Sequence, residues 1–325
     1  MARRTSSRGG ATDPPSVRHV DIDASRQGQR LDNFLLGQLK GVPKSHVYRI
    51  LRRGEVRVNS ARAAPSYRLQ EGDKVRIPPI RTSQPVQTRG SQRFEWLLGL
   101  TLYEDRDILV LNKPGGLAVH GGSGIGAGLI EGLRELRPDV PMMELAHRLD
   151  RDTSGCLLLA KNRPALLALH EMLREGRIEK HYLALVKGRW RGGPRRVSAR
   201  LMRDRVRGRE RLVGVSDEGR AAVSLFDPKR RCGPATLVDI RLDTGRTHQA
   251  RVHAAHIGHP IAGDEKYGDW EFNRELRDLG LRRLFLHAAR LRFAHPATGA
   301  KIEVTADLPS DLENVLERLR EPATV

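Results

Sequence analysis

The chain has 325 residues, with 58 Lys and Arg against 39 Asp and Glu, and its formal net charge is +19. This length allows two domains, one with a large core, and the charge favours a polyanionic partner such as nucleic acid. No apolar run approaches the ~20 residues of a membrane span. Two cysteines without CxxC spacing, Cys156 and Cys232, exclude a disulfide scaffold and favour a reducing cytoplasm.

Composition along the chain predicts four segments. The first 16 residues, rich in Arg, Ser, Gly and Pro, predict a disordered basic arm without the apolar core of a signal peptide. Residues 17–80 predict a small domain, because two short helical patterns precede alternating apolar residues typical of half-buried strands. Residues 81–94 predict a linker that lacks apolar periodicity, and residues 95–320 predict a large domain.

The small domain has a basic face on its second helix and on the strand that follows. The cations on this face are Lys44, Arg49, Arg52, Arg53 and Arg57. Residues 30–35 and 45–59 resemble the S4 RNA-binding domain. The resemblance implies that the five cations bind RNA, while a generic solvated helix face remains the alternative.

The large domain begins with a predicted buried strand at residues 107–114, which ends in Lys113 and a proline. The glycine-rich residues 121–127 fit the G-x-G-x-x-A pattern, but no strand immediately precedes them and no clear ribose-binding acid follows. A flexible loop is therefore preferred to a dinucleotide site. Residues 163–174 predict an amphipathic helix with a proline in its first turn and a glycine past its end.

A short polar stretch between apolar flanks, His147–Gly155, carries two carboxylates and two guanidinium groups. Its Thr-Ser-Gly end predicts a loop at a sheet edge, where a rigid framework can hold reactive groups. Asp150 lies between arginines that would keep it ionised when desolvated, as suits a carboxylate nucleophile or base. A salt-bridged turn is the alternative for this stretch, and we expect Asp152 to form a structural salt bridge.

Two further features follow in the chain. Residues 181–186 alternate as in a strand and carry Tyr182. Nine arginines lie between residues 191 and 211. A solvated loop is the simplest explanation of this density, but so dense a set of arginines should also bind phosphates.

A second informative stretch, Gly245–His253, follows a strand predicted from Ala235 to Leu242. We predict that Thr247 caps a helix here, so that Arg251, one turn later, can point back toward the strand ends. If Arg251 meets Asp150, a charge pair at ~4 Å gains about 4 kcal/mol at an effective dielectric of 20, before desolvation. Such a pair would keep the carboxylate ionised inside a pocket.

The same region contains four histidines that raise the possibility of a zinc site: His248, His253, His256 and His259. Only two of them share a helix face, and no carboxylate or thiolate is placed with them. Contact with solvent or nucleic acid is therefore the preferred interpretation, and we expect no metal.

Several motifs together resemble the pseudouridine synthases that act on structured RNA. The motifs are Leu111 to Pro114, His147 to Gly155, Tyr182, Gly245 to His253 and Leu286 to Ala288. The match covers nearly all of the chain after the arm, with Ala250 and His181 as peripheral departures. The resemblance implies an α+β fold, with a mixed, largely antiparallel sheet bearing helices and a cleft for RNA, preceded by the S4-like domain.

The resemblance also implies a mechanism, in which the ribose C1′–N1 bond of uridine breaks and C1′ rejoins the base at C5. Asp150 would be the essential carboxylate, attacking the sugar or the base or removing a ribose proton. Arg251 would orient Asp150, and Tyr182 would stack on the uracil and accept or relay the C5 proton. Arg148 would fill the stack vacated by a flipped uridine or grip a phosphate. Lys113 would shape the pocket, and no cofactor would be needed.

The implied partner is 23S ribosomal RNA, free or in an assembling large subunit, acted on by a cytoplasmic monomer. A non-catalytic RNA-binding assembly protein and a metal-dependent nuclease are the alternatives. The isomerase and the RNA-binding assembly protein would both explain the basic charge, whereas a nuclease would need clustered acids or histidines with ligand geometry. Only the isomerase requires Asp150, Tyr182 and Arg251 together.

Overall fold

The computed structural model describes residues 16–39, 42–80, 94–121, 128–207 and 210–320, with the backbone alone at residues 25, 44, 203–207, 210 and 211. The chain divides into two compact units, Met1–Arg89 and Gly90–Val325. The arm predicted for residues 1–16 and the linker predicted for 81–94 lie almost entirely outside the described residues. The predicted domain limits therefore stay predictions.

The first unit combines two helices with a small antiparallel sheet. Its elements are β1 (Arg18–Asp21), a 3-10 turn (Ala24–Arg26), α1 (Leu31–Gln38), α2 (Lys44–Arg52), β2 (Arg57–Val58), β3 (Ala61–Arg62) and β4 (Lys74–Ile77). The strands pair in the order β1-β4-β2-β3. The apolar residues that predicted the helices are buried together, including Phe34 and Leu35 from α1 and Val47 and Ile50 from α2.

The second unit contains a large sheet flanked by helices. Its helical elements are a 3-10 helix (Glu95–Leu100), α3 (Leu129–Leu136), α4 (Arg163–Arg174), α5 (Gln249–His256), α6 (Trp270–Asp278) and α7 (Ser310–Arg318). Its strands are β5 (Thr101–Glu104), β6 (Ile108–Lys113), β7 (Glu144–Leu145), β8 (Ser154–Ala160), β9 (Glu179–Lys187), β10 (Arg195–Arg207), β11 (Glu210–Val215), β12 (Arg220–Cys232), β13 (Ala235–Leu242), β14 (Leu286–Ala294) and β15 (Lys301–Thr305).

Most neighbouring strands of this sheet run antiparallel. The main path is β11-β10-β12-β13-β9-β14-β8-β6-β5, with β15 added to β14 and β7 added to β8. Within the described strands, β8 and β14 form the one parallel pair, in which His287 and Ala288 lie opposite Ser154 and Gly155. The predicted fold class, a mixed and largely antiparallel sheet bearing helices, preceded in the chain by an S4-like domain, is confirmed.

Burial of both sheet faces explains the continuous apolar sequence of β8. Leu157 and Leu159 pack into one core cluster together with α3, while Leu158 and Ala160 pack into another with α4. Successive side chains of a strand point to opposite faces, so a strand covered on both sides is apolar throughout. No helix within the described residues combines the length and apolar character that a membrane crossing requires.

Two local predictions are wrong. The arginine-rich stretch is not a loop, because its backbone pairs as the antiparallel strands β10 and β11, and β10 also pairs with β12 from Arg195 to Leu201. The residue at the start of α5 is His248, in a left-handed conformation with φ of 54°, and not a capping Thr247. The turn is held by the Gln249 side-chain oxygen, which accepts hydrogen bonds from the Thr244 hydroxyl and the Arg246 amide. The predicted glycine-rich loop lies largely outside the described residues.

Candidate active site

A cleft of about 400 Å³ opens in the second unit. Its wall comes mainly from the loop before β8, the end of α4 and the turn before α5, together with side chains of β9. Four of the predicted site residues, Arg148, Asp150, Tyr182 and Arg251, line this single cleft. The sequence motifs that carry them are far apart in the chain, so the sheet brings them together.

The buried ammonium of Lys113 supports the loop that carries Asp150. Its Nζ donates hydrogen bonds of 2.8, 2.9 and 2.9 Å to the carbonyls of Pro114, Leu117 and Arg151. Burial lowers the pKa of Lys113 to about 7. Three carbonyl acceptors match the three N–H groups of an ammonium, and they favour its charged form. Lys113 thus ties the end of β6 to the main chain next to Asp150.

The far end of the same loop is closed by β14. Gly155 has φ of 106°, and a Cβ there would lie 2.3 Å from the Ala288 carbonyl oxygen, so only glycine fits. His287 is buried and hydrogen-bonds to the Ala306 carbonyl through Nε2 and to the Ser154 hydroxyl through Nδ1. A carbonyl only accepts, so Nε2 carries the proton and the Ser154 hydroxyl donates to Nδ1.

Arg251 is shared by two carboxylates. Its Nε and Nη2 donate to Asp264 in two hydrogen bonds of 2.7 Å, and its Nη1 lies 3.4 Å from Oδ2 of Asp150. Burial works against the Arg251 charge, but the hydrogen bonds and charge of Asp264 outweigh it and raise the pKa of Arg251. Asp264 therefore fixes the guanidinium, and Asp150 receives a longer and weaker contact from it.

A histidine lines this end of the cleft and is held by a tyrosine. His248 Nε2 lies 3.8 Å from Oδ2 of Asp150, and His248 Nδ1 lies 2.7 Å from the Tyr267 hydroxyl. The hydroxyl accepts the Val213 amide hydrogen, which leaves its own proton to donate to Nδ1. Burial lowers the pKa of His248 and favours the neutral ring. This network assigns the remaining ring proton to Nε2, on the side of Asp150.

Tyr182 contributes an aromatic wall to the cleft. It is buried on β9 and lines the cleft. Burial, together with the nearby Asp150 carboxylate, raises the pKa of Tyr182. The side chain is therefore a neutral phenol at neutral pH.

Comparison with known proteins identifies the family to which the chain belongs. Residues 107–256 match the family model described as RNA pseudouridylate synthase, and residues 29–75 match that of the S4 domain. The chain is 53% identical over 314 residues to ribosomal large subunit pseudouridine synthase C of Escherichia coli (strain K12), covering 95% of this chain and 98% of that protein. The chain belongs to the pseudouridine synthase family.

Two further comparisons agree with this assignment. The protein of the same name from Salmonella typhi is 53% identical over 317 residues, covering 96% of this chain and 99% of that protein. The solved structure of human RNA Pseudouridylate Synthase Domain Containing 4 superposes with a TM-score of 0.60 at 26% identity, covering 71% of this chain and 97% of that one. This pseudouridine synthase is accordingly an isomerase with an S4 domain.

The predicted RNA-binding cations of the S4 domain are largely exposed. Arg52 Nε donates to the Tyr48 carbonyl and Arg57 Nη1 to the Ser60 carbonyl, while Arg53 lies 3.7 Å from Glu55. Arg49 is exposed on α2, and the Lys44 side chain lies outside the described part of the structure. Their role in RNA binding stays a prediction.

The four histidines considered for zinc have separate environments. His253 is fully buried, with Nδ1 at 2.9 Å from the Ser224 hydroxyl, and burial lowers its pKa to about 4. Contact of His253 with solvent or RNA is therefore ruled out, and that prediction was wrong. His259 stacks on Trp190, and its Nδ1 lies 2.8 Å from the Lys187 carbonyl oxygen. His256 is exposed at the end of α5.

Three groups near Asp150 and Arg251 were not predicted from the sequence as site residues. Asp264 and Tyr267 lie in a loop after an apolar stretch, the same signal that selected Asp150, but no partner was evident for them. His248 was predicted to contact solvent or nucleic acid, and no contact with Asp150 was expected for it. By contrast, the salt bridge predicted for Asp152 forms with the adjacent Arg151 at 3.0 Å.

Proposed function

We propose that this pseudouridine synthase isomerises specific uridines of 23S ribosomal RNA, and that Asp150 acts on a uridine flipped out of its helix into the cleft. The substrate class is supported by the relatives named as large-subunit enzymes, by the S4 domain and by the net charge of +19. An assembling large subunit would present the same RNA. The cytoplasm, where ribosomes assemble, is the expected location.

The position of Asp150 carries the proposal. Its carboxylate lines the cleft and meets the guanidinium of Arg251, a residue 101 positions away in sequence. Arg251 is held by two shorter hydrogen bonds to Asp264. Its single, longer contact therefore orients Asp150 but leaves carboxylate lone pairs of Asp150 available. An oriented carboxylate that keeps free lone pairs can attack a carbon or remove a proton.

The remaining wall suits a uridine. A cleft of about 400 Å³ is large enough for a nucleotide, and Tyr182 offers an aromatic face on which uracil can stack. The raised pKa of Tyr182 keeps its phenol protonated, which supports stacking and a late proton relay over service as the initial base. Flipping a paired uridine costs a few kcal/mol, and the exposed Arg148 at the cleft can occupy its place or hold a phosphate.

The test compares two aspartates of one loop. Purified enzyme is incubated with 23S rRNA lacking pseudouridine, and modified positions are mapped together with the rate of isomerisation. We expect Asp150→Asn to abolish turnover while RNA affinity remains, because Asn keeps the shape but not the charge. Asp152→Asn, whose side chain is 41% exposed, is the matched control and should retain turnover.

The outcomes separate the alternatives. Wild-type turnover by Asp150→Asn would remove this carboxylate from the mechanism. RNA binding by the wild-type protein without any pseudouridine formation would favour the non-catalytic assembly protein.

The S4 contribution has its own test. Replacing Arg49, Arg52 and Arg53 together by Gln should weaken 23S rRNA binding and reduce the salt dependence of the affinity, since phosphate contacts release counterions. An unchanged affinity and slope would show that this face does not bind RNA.

A further inference from the structure

One buried cation of the cleft has no role in the mechanism above. Lys180 lies on β9 two residues before Tyr182, so both side chains point to the same side of the strand. Lys180 is only 5% exposed, yet it lines the cleft. Its ammonium is thus enclosed by protein on most sides and faces the space that would hold a nucleotide.

Within the described residues, the Lys180 ammonium makes neither a hydrogen bond nor an ion pair. The acid whose charge acts on it is Asp243, which is already engaged by Arg196 at 3.2 Å and by Arg241 at 3.1 Å. Although it has no partner among these residues, Lys180 Nζ is not a fully buried atom. Its exposed fraction therefore includes the ammonium, which opens into the cleft.

A buried ammonium without a partner is unfavourable unless a ligand provides one. Burial lowers the pKa of Lys180 because the ammonium loses hydration that no protein group replaces. Lys113 shows the usual solution in this fold, with three carbonyls around a buried ammonium. An anion entering the cleft would supply what Lys180 lacks.

The other charges of the cleft select the type of anion. Asp150 is the one carboxylate among the cleft-lining residues that the structure describes, whereas Arg148, Arg174 and Arg246 add positive charge to the same cleft. A phosphate group, with several acceptor oxygens, fits such a set of donors. The substrate proposed above carries a phosphate on each side of its ribose.

We propose that Lys180 forms an anion subsite that binds a backbone phosphate flanking the flipped uridine and thereby positions its ribose against Asp150. The inference rests on the proposed function for the identity of the nucleotide. Lys180 contacts the substrate away from the bond that breaks, so its ammonium contributes to binding and alignment.

The first experiment removes the charge and keeps the shape. Lys180→Met should lower kcat/KM for rRNA by about tenfold or more, the scale of a lost hydrogen bond to a charged group. Its melting temperature should stay the same or rise, since an unpaired buried charge has been removed. Lys180→Arg should restore much of the activity, and Lys301→Met, at an exposed position on β15, is the control.

The second experiment identifies the anion. A short RNA substrate receives a single uncharged methylphosphonate, either 5′ or 3′ of the target uridine. At the phosphate that Lys180 binds, the replacement should impair the wild-type enzyme but have little further effect on Lys180→Met. Equal impairment of both proteins at both positions, or wild-type kinetics of Lys180→Met, would overturn the proposal.

A binding measurement separates this inference from the proposed function. The uridine monophosphate that carries the phosphate bound by Lys180, either the 5′ or the 3′ isomer, should bind the wild-type protein more tightly than uridine, and Lys180→Met should lose that preference. This result does not depend on turnover, so it would stand even if 23S rRNA were not isomerised. Equal binding of uridine and both monophosphates by the wild type would refute the anion subsite while leaving isomerisation unaffected.

Discussion

Two cations are buried in the same cleft and are satisfied in opposite ways. Arg251 is 6% exposed and lies between Asp264 and Asp150, whereas Lys180 is 5% exposed and has no partner in the described part of the chain. Equal burial therefore does not imply an equal role. The charge of Arg251 is used by the protein to fix its own carboxylate, and the charge of Lys180 is available to a ligand.

The largest effect is expected from removing Asp264, the main partner of Arg251. Asp264→Ala should destabilise the protein by about 3–5 kcal/mol, because it leaves Arg251 buried without its main partner. Urea unfolding measures the loss, and pseudouridine formation should fall with it even at temperatures where the variant is folded. Asp269→Ala, which breaks the partly exposed pair with Lys187, is the control and should have a much smaller effect on activity. A stable, active Asp264→Ala would show that Arg251 needs no clamp.

The same substitution at two buried lysines should give opposite results. Lys113→Met should destabilise by about 1–3 kcal/mol, because three carbonyls lose their donor. Lys180→Met should be neutral or stabilising. Chemical unfolding of the two variants under one set of conditions makes the comparison, and equal losses of stability would contradict the distinction between a satisfied and an unsatisfied ammonium.

Stability should also fall at mildly acidic pH. Burial lowers the pKa of His147 and of His253 to about 4 in the folded protein, below the unfolded value. The unfolded state therefore binds more protons as the pH falls from about 7 to about 5, at a cost to stability of about 1–2 kcal/mol for each histidine. Unfolding at several pH values measures the slope, and His253→Gln should reduce it.

The positive charge of Lys180, after burial, also lowers the pKa of His147. In Lys180→Met the pKa of His147 should rise, as followed by NMR titration of the ring. An unchanged His147 titration would place the ammonium elsewhere.

The smallest effect is expected at the hydroxyl that aligns His248. Tyr267→Phe removes the group that bridges the Val213 amide and His248 Nδ1, at a cost of about 1 kcal/mol. With its tautomer no longer fixed, His248 should direct its Nε2 proton toward the Asp150 carboxylate less consistently, and kcat should fall by up to about tenfold. An unchanged kcat would mean that the tautomer of His248 does not matter.

Local patterns predicted much of the fold. The helix at residues 163–174 has the predicted limits, with Asn162 accepting a hydrogen bond at its start and Gly176 in a left-handed conformation after its end. The strand that carries Tyr182 and the strand that ends at Lys113 are also confirmed. These elements depend on neighbouring residues, so their signals are present in short windows of sequence.

The site was only partly predictable, because its partners are set by strand register. The meeting of Arg251 with Asp150 was implied by the family resemblance, but the clamp from Asp264 depends on a loop whose path no local pattern fixes. The burial of Lys180 has the same origin, since an isolated strand does not reveal which of its polar residues will be covered. The arginine-rich stretch was predicted as a loop because of its charge density, although its apolar residues alternate as in a strand.

The parallel pairing of β8 with β14 has a consequence for synthesis of the protein. Ser154 and His287, which hydrogen-bond at this junction, are separated by 133 positions. Contacts so distant in sequence form late, since a long intervening segment must be ordered first. A nascent chain that has emerged only as far as α6 still lacks β14 and cannot close the Asp150 loop. The growing polypeptide should therefore stay inactive until its last strands have left the exit tunnel.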